Sequence, residues 1–249
     1  MIHWQNMISC KKFFRWSEKK FSIFIIIGSI ILFLGWFAGL FIAPTDIQQQ
    51  DAYRIMFIHV PAAAGGMAIY FGISICAIFS LIWRIKLADV ILTAYAPLGA
   101  MLTSIALITG AIWGKPMWGT WWVWDARLTS CLVLLLFYLG IIILRYVMND
   151  SESAAKGCAL LTIIGTIDLP IVHYSVNWWN TLHQKASILA LQKPTIDFAM
   201  LWPLLLSMLG LALFIIGVSF IKMRTIILQR FIQQQYIKNW LRKKNESSK

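Results

Sequence analysis

The sequence predicts an all-α integral membrane protein of six transmembrane helices, with both termini cytoplasmic and a binding site on the outer face. Three observations carry this. Six uncharged runs, bounded by charged residues, are each long enough to cross a bilayer at roughly 20 residues per helix. Hydrophobic residues make up 59% of the 249 and charged residues only 13%, too few to cover a soluble core of that size. Seventeen of the 22 Lys and Arg residues fall on the connections and termini of one side, the mark of the cytoplasmic face.

The elements follow in order. Residues 1–20 form a basic cytoplasmic tail carrying Lys11, Lys12, Arg15, Lys19 and Lys20. The first span, Ser22–Ala43, belongs to an apolar run too long for a signal-peptide core of about 7–15 residues. No small-residue cleavage site follows in Ala43-Pro44-Thr45-Asp46, so the span should be retained. Thr45–Phe57 mixes Ile47, Ala52, Ile55 and Met56 with Gln48, Gln49, Gln50, Asp51 and Arg54, which suits a short helix lying in the interface. Span two, Pro61–Trp83, takes Pro61 in its first turn, where a missing N–H costs nothing, and puts His59 at its outer mouth. Spans three to six are Val90–Trp113, Leu128–Val147, Gly157–Val176 and Phe198–Ile221. One domain results: a bundle over residues 21–221, a tryptophan-rich outer loop over 113–127, and a basic tail over 222–249.

The net charge of +12 could suggest nucleic acid. Its concentration beside the spans instead indicates contact with anionic lipid headgroups, and no nucleic-acid partner is expected. Cys10, Cys76, Cys131 and Cys158 form no C-x-x-C pair, and none falls in an outer loop, which argues against a disulfide framework or a thiol-redox role. No P-loop, G-x-S-x-G or H-E-x-x-H motif is present, so energy for any transport must come from a partner.

The outer loops carry the chemistry. Trp113, Trp118, Trp121, Trp122 and Trp124 fall within twelve positions, interleaved with Gly, Pro, Asp125 and Arg127. An interfacial belt needs one or two tryptophans per helix end. Five suit an aromatic shelf for a large planar apolar ligand, with Arg127 available to an anionic group and Asp125 placed to orient Arg127. The third outer loop adds His173, Trp178, Trp179 and His183. Neutral imidazole ligates haem iron, and two imidazoles on opposite faces make it six-coordinate. The pair must come from different loops for haem to fit between them, which His59 and His183 do; His173 ranks third. A zinc site would need ligands at shorter spacing, with cysteine or carboxylate help. Asp168, two residues before Pro170 inside span five, suits a hydrogen-bonding or a proton-transfer role.

The run Trp118-Gly119-Thr120-Trp121-Trp122-Val123-Trp124-Asp125-Ala126-Arg127 resembles the tryptophan-rich motif of the haem-handling membrane proteins of cytochrome c biogenesis. The contexts Tyr53–Ala63 around His59 and Ser175–Gln184 around His183 place the resemblance in the six-span cytochrome c maturation protein C family, also called haem exporter protein C. The resemblance implies haem b as transiently bound cargo on the periplasmic side, with His59 and His183 as axial iron ligands and the tryptophan loop against the haem edge. Arg54 and Arg127 fall where propionate-facing arginines would be useful. It also implies four partners: a periplasmic membrane-anchored haem chaperone, an ATP-hydrolysing subunit, a second membrane subunit and a small single-span protein. The function expected is haem delivery, without catalysis, in the inner membrane. The alternatives are a channel-forming permease subunit of a haem exporter and a b-type cytochrome, the latter disfavoured because no histidine lies at mid-membrane depth.

Overall fold

A backbone in hydrocarbon has no water to bond, so each apolar run must satisfy its own N–H and C=O groups as a helix. The computed structural model describes residues 9–148, 151–183 and 196–247, which leaves the expectations for Gln184, Lys185 and Lys193 outside the described residues. Among those described, six helices are long and apolar enough to cross a membrane, and the protein is a multi-pass membrane protein. A short helix α1 (Cys10–Trp16) precedes α2 (Lys20–Phe37), which ends in a wider turn over Ala38–Ile42. Then come α3 (Met56–Trp83), α4 (Lys86–Trp118) and α5 (Ala126–Val147). The fifth span is α6 (Ser151–Gly165) with α7 (Asp168–Trp178), and the sixth is α8 (Phe198–Ser247).

Helices α3 to α7 share one core, in which Tyr70, Ile73, Leu92, Leu134, Tyr138, Ile141, Cys158 and Val172 are buried. Tyr138 satisfies its buried hydroxyl by donating to the Gly66 carbonyl at 2.7 Å and meets Tyr70 edge-on at 4.9 Å. Helices α2 and α8 form an antiparallel pair on the flank of α3 and α4. Lipid tails give two apolar helices no hydrophobic reason to associate, so close backbone approach must supply the contact. A Cβ at Gly28 would stand 2.4 Å from the Phe214 nitrogen, and one at Gly210 would stand 2.3 Å from that of Leu32. Gly35 and Gly217 repeat the pattern seven residues on, the period that keeps one helix face against its partner.

Three expectations change. No separate interfacial helix forms before span two. Asp46 instead turns the chain by accepting from the Gln48 and Gln49 backbone, and a 3₁₀ turn over Asp51–Ile55 runs straight into α3. Burial decides this, because Tyr53, Met56 and Phe57 pack inward against Ala43 and Leu204 while Ile47 is left 91% exposed. Consequently α3 starts five residues earlier than expected, and Pro61 lies in its second turn. There its missing N–H leaves the Phe57 carbonyl without a helical partner. The Trp36 indole of α2 donates to that carbonyl at 3.1 Å. Finally, the basic tails are not featureless. Helix α8 continues past Ile221 as a helix to Ser247. Helix α1 lies on it, with Arg224 donating to the Phe14 carbonyl and to Ser17 Oγ.

The fifth span is broken at Thr166 and Ile167. Pro170 cannot donate to the Thr166 carbonyl, which accepts from the Leu169 N–H at 3.2 Å instead. At the end of the bundle opposite the tryptophan loop, buried Asp89 of α4 pairs with Arg145 of α5 and with Arg230 of α8 at 2.8 Å. Three helices are thereby tied at one carboxylate.

Candidate functional site

Two helices and one loop bring the histidines together. His59 is the fourth residue of α3, and its ring lies on α4. Its Nδ1 is 3.0 Å from Thr109 Oγ1, and its edge meets the Trp113 ring at 5.7 Å and 80°. A Cβ at Gly110 would stand 3.1 Å from His59 Cε1, so glycine leaves room for the imidazole there. His183 comes from the segment after α7, and its ring centre is 6.4 Å from that of His59, with the planes inclined at 34°. Trp118, at the end of α4, stands 6.3 Å from the His183 ring.

That separation has a chemical meaning. An imidazole nitrogen binds a first-row metal at about 2 Å, and its ring centre lies roughly 1 Å further out. Two such rings on opposite sides of one ion therefore have centres about 6 Å apart. The pair stands at this spacing where two spaces meet. One is a cavity of about 600 Å³, lined by Met56, Met67, Met200, Met208, Trp113, Arg127 and His173 among others. The other is a recess of about 70 Å³, lined by Ala106, Gly110, Trp118, Leu128, Cys131 and Val172. Both histidines line both spaces. Methionine is unbranched and polarizable, so four of them with an indole wall suit a broad apolar ligand.

The remaining predicted residues divide into a lining and a rim. Trp113 and Trp118 are helical, because α4 continues to Trp118, and the loop proper is 119–125. Gly119 at φ 76° ends the helix and turns the chain, a left-handed conformation that favours glycine. Trp113 is fixed by donating its indole N–H to Gln49 of the first loop at 3.0 Å. Trp121 and Trp124 are 57% and 75% exposed, as are about half the surfaces of Trp178 and Trp179. Trp122 packs edge-on against Trp124, and Trp178 stacks on Tyr174. These four exposed indoles make a rim at the tryptophan end, and none of them lines the two spaces.

The charged residues hold surprises for a reading by spacing. Asp125 does not orient Arg127: its Oδ1 accepts from the Leu128 N–H at 2.8 Å and caps α5. Arg127 lines both spaces and reaches across to the Val172 carbonyl of α7, joining the start of α5 to the broken fifth span. Arg54 is bound to Asp51 at 3.0 Å and to the Gly39 carbonyl, outside the cavity lining. His173 shares the larger cavity with His59 and His183. Asp168 is buried at the start of α7, where the helix N-terminus favours a negative group. Thr109, Gly110 and Gln49 were missed by sequence reasoning. The available signal was a lone threonine one helical turn before Trp113 in an otherwise apolar stretch of α4.

Comparison with known proteins adds a family. The family model described as heme exporter protein C matches residues 3–238. The heme exporter protein C of Escherichia coli strain K12 is 47% identical over 203 residues, covering 82% of each chain. That of Haemophilus influenzae is 43% identical over 225 residues, covering 90% of this chain and 92% of its own. A putative cytochrome c biosynthesis ccmC-like mitochondrial protein of Marchantia polymorpha is 41% identical over 200 residues, covering 80% and 84%.

Proposed function

The chain belongs to the heme exporter protein C family, and from that premise we propose that it binds haem at the outer face of the inner membrane and hands it on for c-type cytochrome assembly. The observation that carries this is the 6.4 Å between the His59 and His183 rings, the spacing of two imidazoles ligating one iron. Haem b is the cargo, held at its iron by axial nitrogen bonds with no covalent link to the chain, so it can leave. The methionine-lined cavity accepts the ring, with Trp113 and Trp118 beside the ligands. Arg127 is the cavity residue suited to a propionate, since a guanidinium has five N–H donors and its bond to Val172 leaves several free. Arg54 acts instead through Asp51 and Gly39, bracing the first loop over the cavity.

Concentration of Lys and Arg on the opposite side supports a periplasmic position for this face, with both termini in the cytoplasm. The exposed rim of Trp121, Trp124, Trp178 and Trp179 then meets the recipient, a membrane-anchored haem chaperone, with Trp122 and Asp125 supporting the loop from within. The ATP-hydrolysing subunit, the second membrane subunit and the single-span subunit complete the complex. The role is transport and delivery rather than catalysis.

The test is the visible spectrum of the purified protein beside His59→Ala and His183→Ala. Wild type should show low-spin, six-coordinate haem, and each substitution should weaken binding and shift the band toward five-coordinate haem. Identical spectra from all three would remove these histidines as ligands and turn attention to His173.

A further inference from the structure

Every hydroxyl has one proton to donate, and that of Thr109 is already committed. Its Oγ1 lies 2.6 Å from the Ile105 carbonyl and 3.3 Å from that of Ala106, and neither carbonyl can donate back. His59 Nδ1 lies 3.0 Å from the same oxygen. Only one assignment satisfies both contacts: Nδ1 carries the imidazole proton and donates it to Thr109. A neutral ring protonated at Nδ1 has its free lone pair on Nε2. We infer that Thr109 is the positioning residue of this site, fixing the tautomer and ring orientation of His59 so that Nε2 is the nitrogen offered to iron.

Other threonines of the spans differ in this respect. Thr93, Thr103 and Thr162 also donate to the carbonyl four residues earlier, a common way to satisfy a hydroxyl in an apolar helix. For Thr109 alone among these four, the oxygen also accepts from a predicted ligand. Gly110 and Trp113 complete the cradle: the first leaves room for the ring, the second closes its edge, and Gln49 holds the second in place. A ligating histidine whose other N–H is bound in this way is oriented and more basic, and loss of such a partner typically weakens metal binding about 10- to 100-fold.

This inference rests on the haem reading, and the experiment separates the two. Thr109→Val keeps the shape and removes the acceptor; Thr109→Ser keeps the acceptor. Thr93→Val, near the other end of α4, controls for loss of a back-bonded hydroxyl. The full chain, purified in detergent, is titrated with ferric haem while the visible spectrum and reduction potential are followed. Thr109→Val should bind about 10- to 100-fold more weakly and show a raised potential, because the less basic imidazole stabilises ferric iron less. Thr109→Ser should restore both, and Thr93→Val should match wild type. If Thr109→Val keeps wild-type affinity, spectrum and potential while His59→Ala loses low-spin haem, the positioning role is overturned and the haem reading stands. If serine fails to rescue the valine phenotype, the effect is packing and the role is likewise overturned. If wild type gives no low-spin haem, both readings fall together.

Discussion

The two ends of the bundle are built from the same helices and behave in opposite ways. At the tryptophan end, α3, α7 and α8 surround a cavity beside His59 that is lined by methionine, indole and imidazole. At the other end, α4, α5 and α8 converge on Asp89, whose carboxylate binds Arg145 and Arg230. One end therefore keeps groups with ligating capacity beside a cavity, and the other spends its buried charges on one another. Under the proposed function the bundle takes up and releases a large ligand at one face, which requires its helices to be held together elsewhere, and the Asp89 cluster is placed to do this.

The largest expected effect comes from breaking the closed end. Asp89→Ala leaves Arg145 buried and unpaired, and removal of one partner from a buried pair costs about 3–5 kcal/mol. Its thermal midpoint in detergent should fall sharply, while the haem spectrum of the protein that remains folded should match wild type. An unchanged midpoint would mean that the convergence on Asp89 is incidental. At the open end, His59→Ala should behave in reverse, losing haem with little change in the stability of the haem-free protein.

A smaller effect is expected where the cavity wall joins the flank. Trp36→Phe removes the indole that satisfies the Phe57 carbonyl, leaving a buried acceptor orphaned at a cost of about 1–3 kcal/mol. Restoring the helical donor with Pro61→Ala should absorb most of that loss. A double-mutant cycle on thermal or denaturant stability measures the coupling, and strict additivity would sink the explanation. The smallest effect belongs to the rim. Trp121→Ala and Trp124→Ala touch little of the protein and should alter stability within about 0.5 kcal/mol. Haem binding should stay near wild type in both, and transfer to the proposed chaperone, followed by the rate of covalent haem capture, should slow. Equal loss of binding would move these indoles from rim to pocket.

Much of this was legible in the chain itself. Six spans follow from run length and charge spacing, because a bilayer imposes the same thickness on every helix. Clustered tryptophans and three histidines marked the candidate site, and the resemblance carried by Trp118–Arg127 pointed to the family. Spacing was less informative about charged side chains. Asp125 and Arg127 stand two apart, yet one caps its own helix and the other reaches α7.

Hydropathy and motif are local properties, so the sequence by itself determined the number of spans and the distribution of basic residues, and it named the candidate ligands. Only the tertiary structure decided which groups meet. Thr109 lies 50 positions from His59, Asp89 lies 56 from Arg145, and Trp36 lies 21 from the carbonyl that Pro61 leaves open. Each of these contacts satisfies a polar group inside an apolar bundle, where an unpaired donor or acceptor is costly, and its partner is set by helix packing rather than by neighbours in the chain.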